Sequence, residues 1–78
     1  MNGKTAVTAA AAATEKWFSN RDLAARYDVP LKTIFHWRQI GYGPPGIRMG
    51  NHVRYDPAEV RRWEQQLARE QAQAREAG

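Results

Sequence analysis

The side chains best suited to chemistry in this 78-residue chain are basic, and they cluster. Lys32, Arg38, Arg48 and Arg54 fall between Val29 and Tyr55, a stretch that holds no acid. Cations without interspersed carboxylates suit a phosphate-rich partner, because each neutralised phosphate releases condensed counterions. Other chemistries lack their residues. There is no cysteine, and His36 and His52 stand without clustered carboxylates, so no metal site is expected. Ser19, the one serine, reads as a helix cap, and Asp56 and Glu59 are accounted for by a helix start. The sequence shows neither a paired carboxylate site nor a phosphate-cradling glycine loop. Catalysis and a bound cofactor are therefore not expected.

Twelve Lys and Arg against eight Asp and Glu give a formal charge of +4 and a pI of about 10.0. That surplus is modest, so the placement of charge matters more than its sum. The length allows one small domain with a small core, for which three tryptophans are natural anchors. The longest apolar run, Ala9 to Ala13, is too short and too weak to span a membrane. The N-terminus lacks the strongly apolar segment of a signal peptide. No membrane partner and a cytoplasmic location are the expectations.

The elements that must position the cations can be read from local signals. Residues 1–16 are rich in Ala and Thr and are expected to form a flexible arm, with a transient helix over Ala9 to Ala13. A first helix starts at Ser19, where Ser19 and Asp22 make a pair resembling a capping box. Leu23, Ala24 and Tyr27 share its inner face. Asp28 stands in the turn, where a residue tolerant of positive φ is needed. A second helix opens with Pro30 as a first-turn residue, turns Ile34 and Trp37 inward, and stops at Gly41. Gly41 to Gly46 cannot continue it.

Ile47–Met49 and His52–Tyr55 are short strands about Gly50-Asn51, a pair able to take the positive φ values of a two-residue hairpin. Alternation is expected to send Ile47, Val53 and Tyr55 inward and Arg48 and Arg54 outward. A third helix opens at Asp56-Pro57 with Val60, Trp63 and Leu67 as its apolar stripe. Residues 68–78 are helix-prone with nothing large to bury, a tail expected to project and fray. The predicted fold class is mainly α with a small β-hairpin. The order of elements over residues 17–67 is that of a winged helix-turn-helix, which sets one short helix in the DNA major groove with a basic loop beside it.

Tyr27-Asp28-Val29, Thr33-Ile34-Phe35-His36-Trp37, Ile40-Gly41, Gly50, Val53-Arg54-Tyr55-Asp56, Val60 and Trp63 resemble the MerR-like winged helices. Within these the chain is similar to the small phage excisionases, or recombination directionality factors, and to the related AlpA-type prophage regulators. The resemblance covers roughly residues 17–67. It implies a helix in the major groove, a wing at the minor groove or flanking backbone, and no enzymatic activity. It also implies several copies bending DNA beside a phage integrase site in the host bacterial cytoplasm, and a bias toward excision. Asp28 stands where the family usually has glycine, and Pro30 where it often has a Ser or Thr cap.

On this reading the recognition helix presents Leu31, Lys32, Thr33, Phe35, His36 and Gln39. The wing and its flanks present Arg48, Asn51, His52, Arg54, Arg21 and Arg38. Thr33 either contacts a phosphate or thymine methyl or only caps its helix. Phe35 either meets a thymine methyl, which carries no hydrogen-bond code, or packs under the wing. In the family the stem of Arg54 often packs on the domain. Trp37 and Trp63 are expected in the core rather than stacked on bases, and Trp17 is free to pack over the third helix. Two other roles stay open: a phage or prophage transcription regulator, and a DNA-binding adaptor of a phage packaging complex.

Overall fold

The computed structural model describes residues 15–77. The arm expected over residues 1–16, apart from its last two residues, lies outside them, as does the transient helix over Ala9 to Ala13. Among the described residues, three helices and one hairpin follow in order: α1 (Asn20–Tyr27), α2 (Leu31–Ile40), β1 (Ile47–Met49), β2 (His52–Arg54) and α3 (Pro57–Ala77). The chain is mainly helical with a two-stranded antiparallel sheet.

Local chemistry sets the helix ends. The Ser19 hydroxyl accepts from the Asp22 N–H at 3.1 Å, and the Asp22 carboxylate accepts from the Ser19 N–H at 2.9 Å. This reciprocal pair closes a capping box with Asp in place of the usual Glu or Gln. The two helices of the turn region, α1 and α2, stop in the same way. Asp28 is left-handed (φ 55°), its N–H donates to Ala25 O, and the Val29 N–H donates to Ala24 O at 3.0 Å. Gly41 is left-handed (φ 74°), with bonds from its N–H to Arg38 O and from the Tyr42 N–H to Trp37 O at 2.8 Å. These are Schellman closures, one carried by glycine and one by aspartate, which tolerates that region better than most residues.

Pro30 departs from expectation. It stands at the N-cap with extended ψ (150°), one position before the first turn. Its ring fixes φ for either place, so the extended ψ decides, and its carbonyl accepts the Thr33 N–H at 2.9 Å. Thr33 does not cap α2, since no side chain does. At α3, by contrast, Asp56 caps as expected: its Oδ1 accepts the Ala58 N–H at 3.0 Å, ahead of a first-turn Pro57. Past Leu67 the helix continues to Ala77 and is exposed over residues 68–76.

The hairpin corrects the expected alternation. The register pairs Ile47 with Arg54, Arg48 with Val53, and Met49 with His52. Directly opposed residues share a face. Ile47 therefore lies with Arg54 on the outer face, 51% exposed, and Arg48 lies with Val53. Only Gly50 of the turn pair has positive φ (63°), the pattern of a II′ turn with glycine first. Tyr55 falls just past β2, in an antiparallel bridge to Phe18, with paired N–H···O bonds of 2.9 and 2.8 Å. This bridge ties the segment before α1 to the strand that enters α3.

Leu23, Ala24, Ile34, Tyr55 and Val60 form the buried core. The Tyr55 hydroxyl stays satisfied there by donating to Asn20 Oδ1 at 2.7 Å. Trp37 packs against this core but is only half-buried, as is Trp63. Both belong to an aromatic cluster with Tyr27 and Tyr42, with ring centroids 5.0–6.1 Å apart. The tryptophans thus flank the core instead of filling it. Trp17 is half-buried beside Asp22 and Ala25 of α1.

Candidate nucleic-acid interface

α2 has one inner stripe, and this decides what it presents. Ile34 is buried and Trp37 half-buried, so Lys32, Phe35, His36 and Gln39 are exposed and Thr33 is half-buried. Leu31 packs partly against the core. It also lines a concavity with Ser19, Asn20, Arg21, Phe35 and Arg54. Here the first turn of α1, the first half of α2 and the end of β2 meet. The fold thereby brings Arg21, Leu31, Phe35 and Arg54 together. Arg54 is half-buried, and its guanidinium donates to Val53 O at 2.8 Å, which fixes its stem along the strand. Phe35 is 48% exposed beside it and is not packed away under the hairpin.

The remaining candidates are placed elsewhere. Arg48, Asn51 and His52 are exposed around the hairpin tip. Because of the register, Arg48 and Arg54 leave the hairpin from opposite faces, where the expectation put them on one. Arg38 belongs to a different depression, formed with Gly41 and the Pro44–Gly46 loop. Its Nη1 reaches the Tyr55 hydroxyl at 3.4 Å across Gly46. A Cβ on Gly46 would lie 2.6 Å from that nitrogen and 2.8 Å from the Tyr55 ring, so this approach requires glycine.

Charge is divided along the same lines. Among the described residues, the ion pairs are Arg26–Glu64, Arg61–Glu15 and Arg62–Glu59. Asp22 and Asp56 serve as caps. None of these contacts uses Lys32, Arg38, Arg48 or Arg54. Glu64 is the most engaged acid. Arg26 grips it through Nε at 2.5 Å and Nη2 at 2.9 Å, and the Tyr27 hydroxyl donates to it at 2.6 Å. The Arg26 bonds hold the Glu64 carboxyl below its ordinary range, and burial, with the donation to Glu64, pushes the Tyr27 hydroxyl up. The Arg26 guanidinium also sits 5.3 Å from the centre of the Phe18 ring. Arg26, Tyr27 and Glu64 thus lock α1 to α3, and so set the platform from which α2 projects.

Sequence reasoning missed this lock and the Phe18 bridge. The partners are 37 or 38 residues apart, and no local periodicity joins them. Among the described residues, no group of three or more His, Cys, Asp or Glu could hold a metal ion. No described helix is long and apolar enough to cross a membrane. Comparison with protein-family models, curated proteins and solved structures gives no match for this chain.

Proposed function

We propose that this protein binds duplex DNA and catalyses no reaction, as a winged helix-turn-helix with α2 in the major groove and the β1–β2 hairpin as the wing. One observation carries the reading. The acids of the chain all lie outside α2 and the hairpin, and most of them are paired or cap a helix, while α2 and the hairpin are basic and acid-free. In this role Lys32, Thr33, His36 and Gln39 face base edges or phosphates, and Phe35 offers apolar contact to a thymine methyl. Arg21, Arg48 and Arg54 take phosphates, with Asn51 and His52 at the wing tip. Arg38 is the weakest member of this set, because it is engaged with Tyr55.

The resemblance to phage excisionases supplies the finer reading: a factor that bends DNA beside an integrase site and favours excision. One α2 and one hairpin cover a short site, so several copies would bind side by side. Residues 68–76 of α3 offer no leucine or isoleucine repeat for a two-stranded coiled coil, which favours contacts between neighbours on DNA over a two-fold dimer. Binding across a salt series tests the DNA reading. With roughly three to five phosphate contacts per copy, the log–log slope should lie at about −3 to −4.5. A flat response removes nucleic acid as the partner. A stable free dimer that binds only inverted repeats assigns the chain to transcription regulation instead.

A further inference from the structure

The hairpin carries large apolar side chains where a merely solvated loop would carry polar ones. Ile47 is 51% exposed and Met49 45%, and Met49 directly precedes the Gly50-Asn51 turn. The register sets Ile47 opposite Arg54 and Met49 opposite His52, so all four side chains share one face. That face continues toward α2, because Arg54 also lines the concavity with the exposed Phe35. Clustered apolar exposure on a small domain marks a surface that is used.

The surroundings select the occupant. Arg54 belongs to the patch itself, and Arg48 stands between Ile47 and Met49 on the other face of the same strand. Neither is in an ion pair among the described residues, and the stretch from Val29 to Tyr55 holds no acid. Charge complementarity therefore calls for a polyanion. Phosphates alone would leave Ile47 and Met49 against charged oxygens. A duplex accepts an aliphatic side chain at the base stack, where a step opens toward the minor groove. The minor groove is about 6 Å wide, and paired strands lie about 4.8 Å apart before their side chains are counted. Only the tip of such a hairpin enters unless the groove is widened, and Met49 is at the tip.

We infer that Met49 is an apolar wedge, inserted between adjacent base pairs from the minor groove, that kinks the duplex. Ile47 backs it, and His52 and Arg54 on the same face hold the flanking backbone. The inference rests on the DNA-binding reading above and deepens it, since it assigns the bend to one side chain. It also confines the kink to steps that unstack easily, pyrimidine–purine steps such as TA.

The test measures end-to-end energy transfer and affinity on a labelled duplex of about 30 base pairs with one central TA step. A second duplex carries a bulge at that step and is already kinked. Met49 is exposed, so Met49→Ala leaves the fold intact, which a thermal melt verifies. On the intact duplex Met49→Ala should bind about tenfold more weakly and lose the bend, since it no longer offsets unstacking. On the bulged duplex it should bind like the wild type. Met49→Leu should restore both properties, and Arg54→Ala should weaken binding to both duplexes alike. If Met49→Ala binds and bends the intact duplex like the wild type, the wedge is wrong while the DNA reading survives. A wild type that binds neither duplex sinks both. A DNA-free dimer that Met49→Ala dissolves would give this face to a second copy and overturn the wedge.

Discussion

Two halves of this small molecule treat charge in opposite ways. On the half made by α1, α3 and the segment before α1, carboxylates have partners: Glu64 with Arg26 and Tyr27, Glu15 with Arg61, Glu59 with Arg62, Asp22 with Ser19. On the half made by α2 and the hairpin there are cations, exposed aromatic and aliphatic side chains, and no acid. The first arrangement builds a platform. Its ion pairs and caps fix how two helices and a bridge strand meet. The second leaves its interactions unspent. A surface that faced only water would gain from interspersed acids, and this one has none over a continuous stretch of chain.

The largest expected effect separates the halves within α2 itself, at two neighbouring residues. Ile34 is 1% exposed and Phe35 48%. Ile34→Ala should cost about 2–5 kcal/mol, comparable with the whole stability of a domain of this size. Its cooperative thermal transition should fall sharply or vanish. Phe35→Ala should leave the melt nearly unchanged and weaken binding to duplex DNA. Trp37→Ala should fall between them, toward the lower end of the roughly 3–5 kcal/mol of a buried tryptophan, because Trp37 is only half-buried among Tyr27, Tyr42 and Trp63. Equal melting losses from Ile34→Ala and Phe35→Ala would mean that α2 has no free face.

Next in size are the cations. Arg48→Ala and Arg54→Ala should each weaken binding about five- to tenfold on related and unrelated duplexes alike. Each should reduce the salt slope by about one. Arg62→Ala, which removes a cation already paired with Glu59, should leave affinity unchanged. Lys32, Thr33 and His36 variants should alter discrimination between sequences. Competition on point-mutated sites measures both quantities. If Arg62→Ala weakens binding as much as Arg54→Ala, net charge and not its placement governs affinity.

The ends of the elements were legible because capping is local. Ser19 with Asp22, Gly41, and Asp56 with Pro57 act within a few residues of themselves. Pro30 was misplaced by one position because proline's fixed φ suits both the N-cap and the first turn. The hairpin shows a different failure. The turn at Gly50-Asn51 was readable, and counting outward from it pairs Ile47 with Arg54. The apolar character of Ile47 argued for the core, and a one-residue difference in register flips a strand's faces. Thus the signal that seemed to favour burial was the signal of an exposed apolar face. The Phe18–Tyr55 bridge and the Arg26–Tyr27–Glu64 lock left no trace in local pattern, since only the folded path brings them together. Of the candidate site, the basic stretch was legible. The division of Arg48 and Arg54 between two faces, and the engagement of Arg38 with Tyr55, were not.

The smallest effect concerns the platform and depends on pH. Bonds from Arg26 and Tyr27 hold the folded Glu64 carboxyl below its ordinary value of 4.5. A depressed carboxyl stabilises the folded state fully above the unfolded value and loses that contribution as pH falls through the folded one. The pair is about one-third exposed on each side, so its contribution should be at most about 1 kcal/mol. Glu64→Gln keeps an acceptor for Tyr27 and removes the charge. At pH 7 it should melt up to about 4–8 °C below the wild type. The gap should persist down to about pH 4.5 and close below it, as protonation makes the two side chains alike. Affinity for DNA at pH 7 should not change, because Glu64 is engaged with Arg26 and Tyr27 and takes no part in the candidate interface. A gap that is constant from pH 7 down to pH 3 would show that the packing of Glu64, not its charge, joins α1 to α3.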